Sequence, residues 1–272
     1  METKNVATWE EFLAGLENIR EERRNSTSYV QNSPLLFRGQ GNSCWRLSAT
    51  LERVRERMRY KDYYLIISKM RPQIESLVGR DWSILPYPEV ERLVSAGYDE
   101  FNRILWAGDR PAYAYMAYLR HHGFPSPLLD WSRSPYVAAY FAFANACVDS
   151  NGRASIFVLC ERNFKVSGNR MPVLYNLGPY VKTHRRHVMQ QSQYTLCLRF
   201  DDEWRFESYD SVFQEGNSQQ AFCWEFTIPV AERPKVLALL DEHNLNAFSL
   251  FGSEESLMDT LASREFISNP RL

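Results

Sequence analysis

The sequence predicts an α+β chain, a helical N-terminal half packed on a mainly antiparallel β-sheet. Three observations lead there. Hydrophobic residues make up 44% and aromatic residues 14% of the chain, enough to build a core. Apolar positions recur at helical spacing through most of the first 120 residues. Short β-branched and aromatic runs dominate after His122.

The elements follow in order. Thr8-Trp-Glu-Glu11 is a capping box, and Trp9, Phe12, Leu13, Leu16 and Ile19 continue it as a helix that closes in the charged run Arg20 to Arg24. Residues 25–34 are a polar loop. Leu35 to Arg38 reads as a buried strand ended by Gly39-Gln-Gly41, and Trp45 to Leu47 as a second short strand. Helices are expected from Thr50, over 62–77, over 89–106, and over 111–119 with Pro111 at the first position. Gly123 to Pro127 is a rigid loop. Ser134-Pro135 caps a helix over 136–147 that is apolar nearly all round and therefore buried. Strands are expected over 154–159, 194–199 and 221–229, a helix over 236–243, a short strand over 247–250 and a helix over 254–261.

The 272 residues carry a net charge of −1, which argues against a general nucleic-acid or anionic-membrane surface. The cysteines at 44, 147, 160, 197 and 223 are odd in number, scattered and without a CxxC pair, so most read as buried free thiols in a reducing compartment. No apolar run approaches a membrane span and no secretory leader opens the chain, so the expected location is the cytoplasm. No linker or repeat divides the chain. Residues 1–34 are read as a helix and loop packed on one domain over 35–265.

Two segments concentrate chemistry. Arg38 ends a buried strand, where a guanidinium needs an anion, either a ligand phosphate or carboxylate or an internal acid such as Asp130. Gly39 and Gly41 beside it permit close approach of a backbone or ligand. The stretch from His122 to Pro135 brings His122, Asp130, Trp131, Ser132 and Ser134 together ahead of the buried helix. Trp131 could stack on a planar ring or fill the core, and Asp130 could act in a pocket or cap locally. The amides from Gln190 to Gln193 enter a strand and either face the pocket or decorate an edge. Lys182 to His187 is a small basic cluster, and His184 with His187 lacks a third metal ligand, so no metal is expected. Glu225 reads as an outward-facing strand residue. No phosphate loop, nucleophile elbow or HExxH motif is present.

Phe37-Arg-Gly-Gln40, followed by Trp45-Arg-Leu47 and Leu51-Glu-Arg53, resembles the opening of the FRG domain, a family named for its Phe-Arg-Gly start. The run from His122 to Ala142 is similar to its central motif, with Ser126-Pro127 in place of the usual Thr-Arg and Ser132 in place of Thr. Arg186, Gln190, Ser192 and Tyr194 resemble its third motif, and Ala247 to Phe251 with Leu257 and Leu261 resembles its ending. The order of these parts is more distantly similar to that of mono-ADP-ribosyltransferases, which implies a split sheet and an NAD-like nucleotide ligand. By that resemblance Arg38, Asp130, Ser134 and Gln191 form the catalytic set. Arg38, Gly39, Gln40, His122, Trp131, Ser132, Gln190 and Gln193 contact the nucleotide. Gln191-Ser192-Gln193 stands where those enzymes carry Glu-x-Glu, which leaves transfer or NAD cleavage dependent on a carboxylate elsewhere, Asp130 or Glu225. The family context implies a toxin-like or antiviral effector with a protein or nucleic-acid acceptor. The opposing reading is a non-catalytic interaction module in which Arg38 and Asp130 pair as a scaffold.

Overall fold

A computed structural model describes residues 1–107, 110–146, 152–162, 171–214 and 220–267. The sheet is built from β1 (Glu2–Asn5), β2 (Leu36–Gln40), β3 (Leu129–Ser132), β4 (Arg153–Glu161), β5 (Val173–Gly178), β6 (Ser192–Phe200), β7 (Trp204–Phe206) and β8 (Ala221–Pro229). Their order is β1-β8-β4-β2-β3-β6-β5, with β7 also on β6. Every pairing is antiparallel except β1 with β8. The α+β class and the largely antiparallel sheet therefore hold.

Two helical groups cover one face of the sheet. Over β2, β4 and β8 lie α1 (Trp9–Asn25), α7 (Pro135–Ala144) and α10 (Arg233–Glu242), which bury Trp9, Phe12, Ala138, Ala142, Phe143 and Leu240 against Phe37, Val158 and Trp224. Over β5 and β6 lie α3 (Tyr60–Val78), α4 (Tyr87–Ser95), α5 (Tyr98–Ala107) and α6 (Tyr113–His121), which pack on Tyr175, Tyr194 and Leu196. The opposite face carries a smaller cluster of Leu36, Leu47, Trp131, Leu159 and Tyr209. Burying rings of this size contributes about 2–3 kcal/mol each.

Several local expectations change. Residues 45–47 form no strand. The helix expected over 89–106 is two helices, because Gly97 at φ +104° breaks it between α4 and α5. The strand expected over 247–250 is the helix α11 (Ala247–Phe251), capped by Asn246. The sequence pattern assigns no strand to the residues of β1, β3, β5 or β7. β3 is only four residues long, at the lower limit at which its Leu-Asp-Trp-Ser alternation marks a strand. Cys160, Cys197 and Cys223 are buried free thiols, whereas Cys44 is exposed; Cys147 lies outside the described residues. Among the described residues no helix is long and apolar enough to cross a membrane.

The sheet nearly parts in its middle. β2 and β3 share one register position, Phe37 with Ser132, while β2 matches β4 at five and β3 matches β6 at four. Continued pairing would set Gly39 opposite Asp130. Instead Arg38 Nη1 donates to the Asp130 carbonyl at 2.9 Å. A side chain takes the place of a ladder hydrogen bond, and the strands open around it.

Candidate functional site

A cavity of about 420 Å³ occupies this opening. Its lining comes from both faces of the sheet. Arg38, Gln40 and Trp131 belong to one face, and Asp130, Ser132 and Ser192 to the other, as the Phe37–Ser132 and Trp131–Gln193 registers require. Trp45 and Arg53 stand beside it on the loop and short helix α2 (Thr50–Val54) that follow β2, and Arg120 comes from the end of α6.

Gly39 makes the wall possible. A Cβ there would lie 1.9 Å from the Ala138 carbonyl oxygen and 2.6 Å from the Ala142 nitrogen, so α7 lies directly on β2. Gly41 is equally close to the Asn145 carbonyl, at 2.0 Å. Both glycines thus let backbone approach closely, and both also line the cavity.

The charges in the cavity are three guanidiniums against one carboxylate. Arg120 claims that carboxylate, with Nη2 2.8 Å from Asp130 Oδ2 and Nε 3.1 Å from Oδ1. The expected Arg38–Asp130 side-chain pair is therefore absent. Arg38 meets only the Asp130 main chain, because the acid points to the opposite face of the strand. Its Nε is buried without a partner, and burial pushes the guanidinium down to about 10 despite the opposing pull of Asp130. Arg53 Nε donates to Ser48 Oγ at 3.2 Å, and neither Arg38 nor Arg53 has an ion pair among the described residues. Gln40, buried on the same strand, donates from Nε2 to the Trp45 carbonyl at 3.1 Å while its Oε1 has no partner.

Other predicted residues sort differently. Ser132 lines the cavity, but its hydroxyl donates to the Gln190 carbonyl at 2.8 Å and accepts from the Ser134 amide at 3.0 Å. Ser134 caps α7 by accepting from Val137 N and does not line the cavity. Gln190 lines it, with its amide donating to the Leu250 carbonyl. Gln191 is exposed at φ +48° in the turn after α8 (Arg185–Met189) and is not part of the cavity lining. Gln193 is buried beside Trp131 in register and does not reach the cavity. Trp131 is no free platform: its ring is 2% exposed in the core and Nε1 donates to Thr195 Oγ1 at 2.8 Å. His122 lies against Tyr118, with ring centres 4.2 Å apart, away from Arg38. Glu225 is buried rather than outward, because β1 covers its edge; it accepts from Ser155 Oγ at 2.6 Å and Thr3 Oγ1 at 3.2 Å.

Behind Asp130, His121 Nε2 lies 2.6 Å from the Tyr194 hydroxyl, and His187 Nδ1 lies 3.3 Å from the same oxygen. His187 Nε2 faces the Pro179 carbonyl at 3.1 Å and so carries the proton. Its Nδ1 then accepts from Tyr194, and His121 donates to Tyr194, a chain with one direction. Burial pulls His121 down to about 4. Among the described residues no group of three histidines, cysteines or acids could hold a metal ion.

Sequence reasoning missed Arg53, Arg120, Trp45 and Ser192 as cavity residues. Arg53 and Trp45 stood in the segment after Arg38, but nothing in their spacing showed that the chain folds back over the strand.

Residues 33–151 match the FRG domain family model. No curated protein and no solved structure matches the chain.

Proposed function

From the premise that residues 33–151 are an FRG domain, we propose that the chain binds an NAD-like nucleotide by its phosphates in the opening between β2 and β3. One observation carries this reading. Arg38 is a half-buried cation that lines a 420 Å³ cavity, has no ion pair among the described residues, and keeps a buried, unsatisfied Nε. An unpaired buried charge is costly, and a phosphate with several acceptor oxygens offsets that cost. Arg53 and Arg120 raise the local positive charge further, with Asp130 the single acid among the described lining residues to oppose it.

The transferase or NAD-cleaving form of this reading rests on Asp130, the one carboxylate in the lining among the described residues. Arg120 holds both of its oxygens, an arrangement that suits charge balance better than a free base. Binding without turnover is therefore the form we favour. Calorimetric titration of NAD and of inorganic pyrophosphate into wild type and Arg38→Lys tests it. Wild type should bind both and the lysine variant should bind more weakly, since lysine cannot keep the carbonyl contact and present a planar fork. Absence of binding of either compound to wild type would overturn the proposal.

A further inference from the structure

The residues beside the anion site describe the rest of the molecule that would fill it. Trp45 lines the cavity and is 47% exposed, whereas Trp131 is sealed in the core. Gln40 also lines the cavity, and its amide orientation is fixed. Only the NH2 end can face the Trp45 carbonyl, because two oxygens would repel, so the free atom is Oε1, an acceptor. That oxygen is buried and unsatisfied, and an acceptor in that state favours a donor N–H. Arg38 and Gln40 stand two positions apart on one strand face, which separates them by roughly 6.5–7 Å. The hydrogen bond from Gln40 to the Trp45 main chain ties the loop bearing the indole to the strand bearing the guanidinium.

We infer that Trp45 and Gln40 select a ligand whose planar ring carries an NH2 group, the ring stacking on the Trp45 indole and the NH2 donating to Gln40 Oε1. This deepens the nucleotide reading and rests on it. Two groups share the chemistry, the amine of adenine and the carboxamide of nicotinamide. Both put an N–H donor on a flat ring that a ribose joins to a phosphate.

The test is titration of four probes and inorganic pyrophosphate into wild type, Trp45→Ala, Trp45→Phe and Gln40→Met. ADP against IDP tests the adenine amine. Nicotinamide mononucleotide against nicotinic acid mononucleotide tests the carboxamide. Loss of a stacking ring weakens binding by roughly fivefold to a hundredfold. Trp45→Ala should thus bind the preferred nucleotide at least about fivefold more weakly, Trp45→Phe should recover most of that loss, and pyrophosphate affinity should stay unchanged in both. Wild type should prefer the NH2-bearing member of one pair, and Gln40→Met should lose that preference. The wild-type preference needs no variant, so a misfolded Gln40→Met leaves the test intact. Pyrophosphate binding with equal affinity for both members of each pair, or with no response to Trp45→Ala, overturns this inference and leaves the anion site standing. Absence of pyrophosphate and nucleotide binding to wild type overturns both.

Discussion

Arg38 and Asp130 meet through a guanidinium and a main-chain carbonyl, 2.9 Å apart, while the Asp130 side chain turns to Arg120 on the other face of the strand. Two arginines thus divide one residue between them. Asp130→Asn should keep the Arg38 contact and release Arg120. We expect stability to fall by about 1–3 kcal/mol, the cost of breaking a half-buried ion pair, and pyrophosphate to bind more tightly as the local charge rises. Urea denaturation and calorimetry check the two halves. Weaker pyrophosphate binding in a folded Asp130→Asn would contradict the charge account.

Gly39→Ala is expected to lower stability by at least about 2 kcal/mol or to prevent folding, since the new methyl meets main-chain atoms of α7 that have no rotamer with which to yield. Gly79→Ala is a control with nothing within 4 Å of the new methyl, though its φ of +65° still carries some strain. Denaturant midpoints of the two variants give the comparison.

Trp131→Phe should cost stability without changing nucleotide affinity. The substitution removes the indole donor and leaves Thr195 Oγ1 with only Tyr209, a loss of about 1–2 kcal/mol plus the smaller ring's packing deficit. Altered affinity at unchanged stability would show that Trp131, which lines the cavity from the core side, also contacts the ligand.

Acid should destabilise the fold through the histidines beside Tyr194. His121 is held neutral, its value pulled from 6.5 to about 4, and His187, His184 and His122 are lowered by the same cause, burial. Asp130 pulls His121 the other way and Arg120 pushes with the burial. A lowered value means that the unfolded chain takes up a proton before the folded one. The stabilisation is complete above pH 6.5 and drains away as pH falls toward 4, by up to about 3 kcal/mol for His121. Melting temperature against pH should fall less steeply over that window in His121→Gln than in wild type.

The sequence announced the fold unevenly. Helices with one apolar stripe, such as α1 with Trp9, Phe12, Leu16 and Ile19, were legible because their period is a physical consequence of burying one side. β3 was not, since the alternation of Leu129, Asp130, Trp131 and Ser132 runs over only four residues between prolines that mark loop and cap. At the site, Arg38 was identifiable because a guanidinium after three apolar residues has few inexpensive explanations. Its pairing was not, because a one-residue difference in register decides whether the Asp130 carboxylate or carbonyl confronts it. Trp131 stayed open between ligand and core for a related reason: an indole beside an acid looks the same in sequence whether it faces a ligand or Thr195. Trp45 drew less notice because the loop that carries it has no periodicity.

The lone rung between Phe37 and Ser132 has a mechanical consequence. Across that seam two sheet halves are coupled by one pair of residues and an arginine side chain rather than by a full ladder. A molecule lodged there would act as a rivet, so occupancy and heat resistance should climb together, following RT ln(1 + [L]/Kd). Proteolysis within 36–40 and 129–132 would then report on filling of the seam as directly as any binding curve.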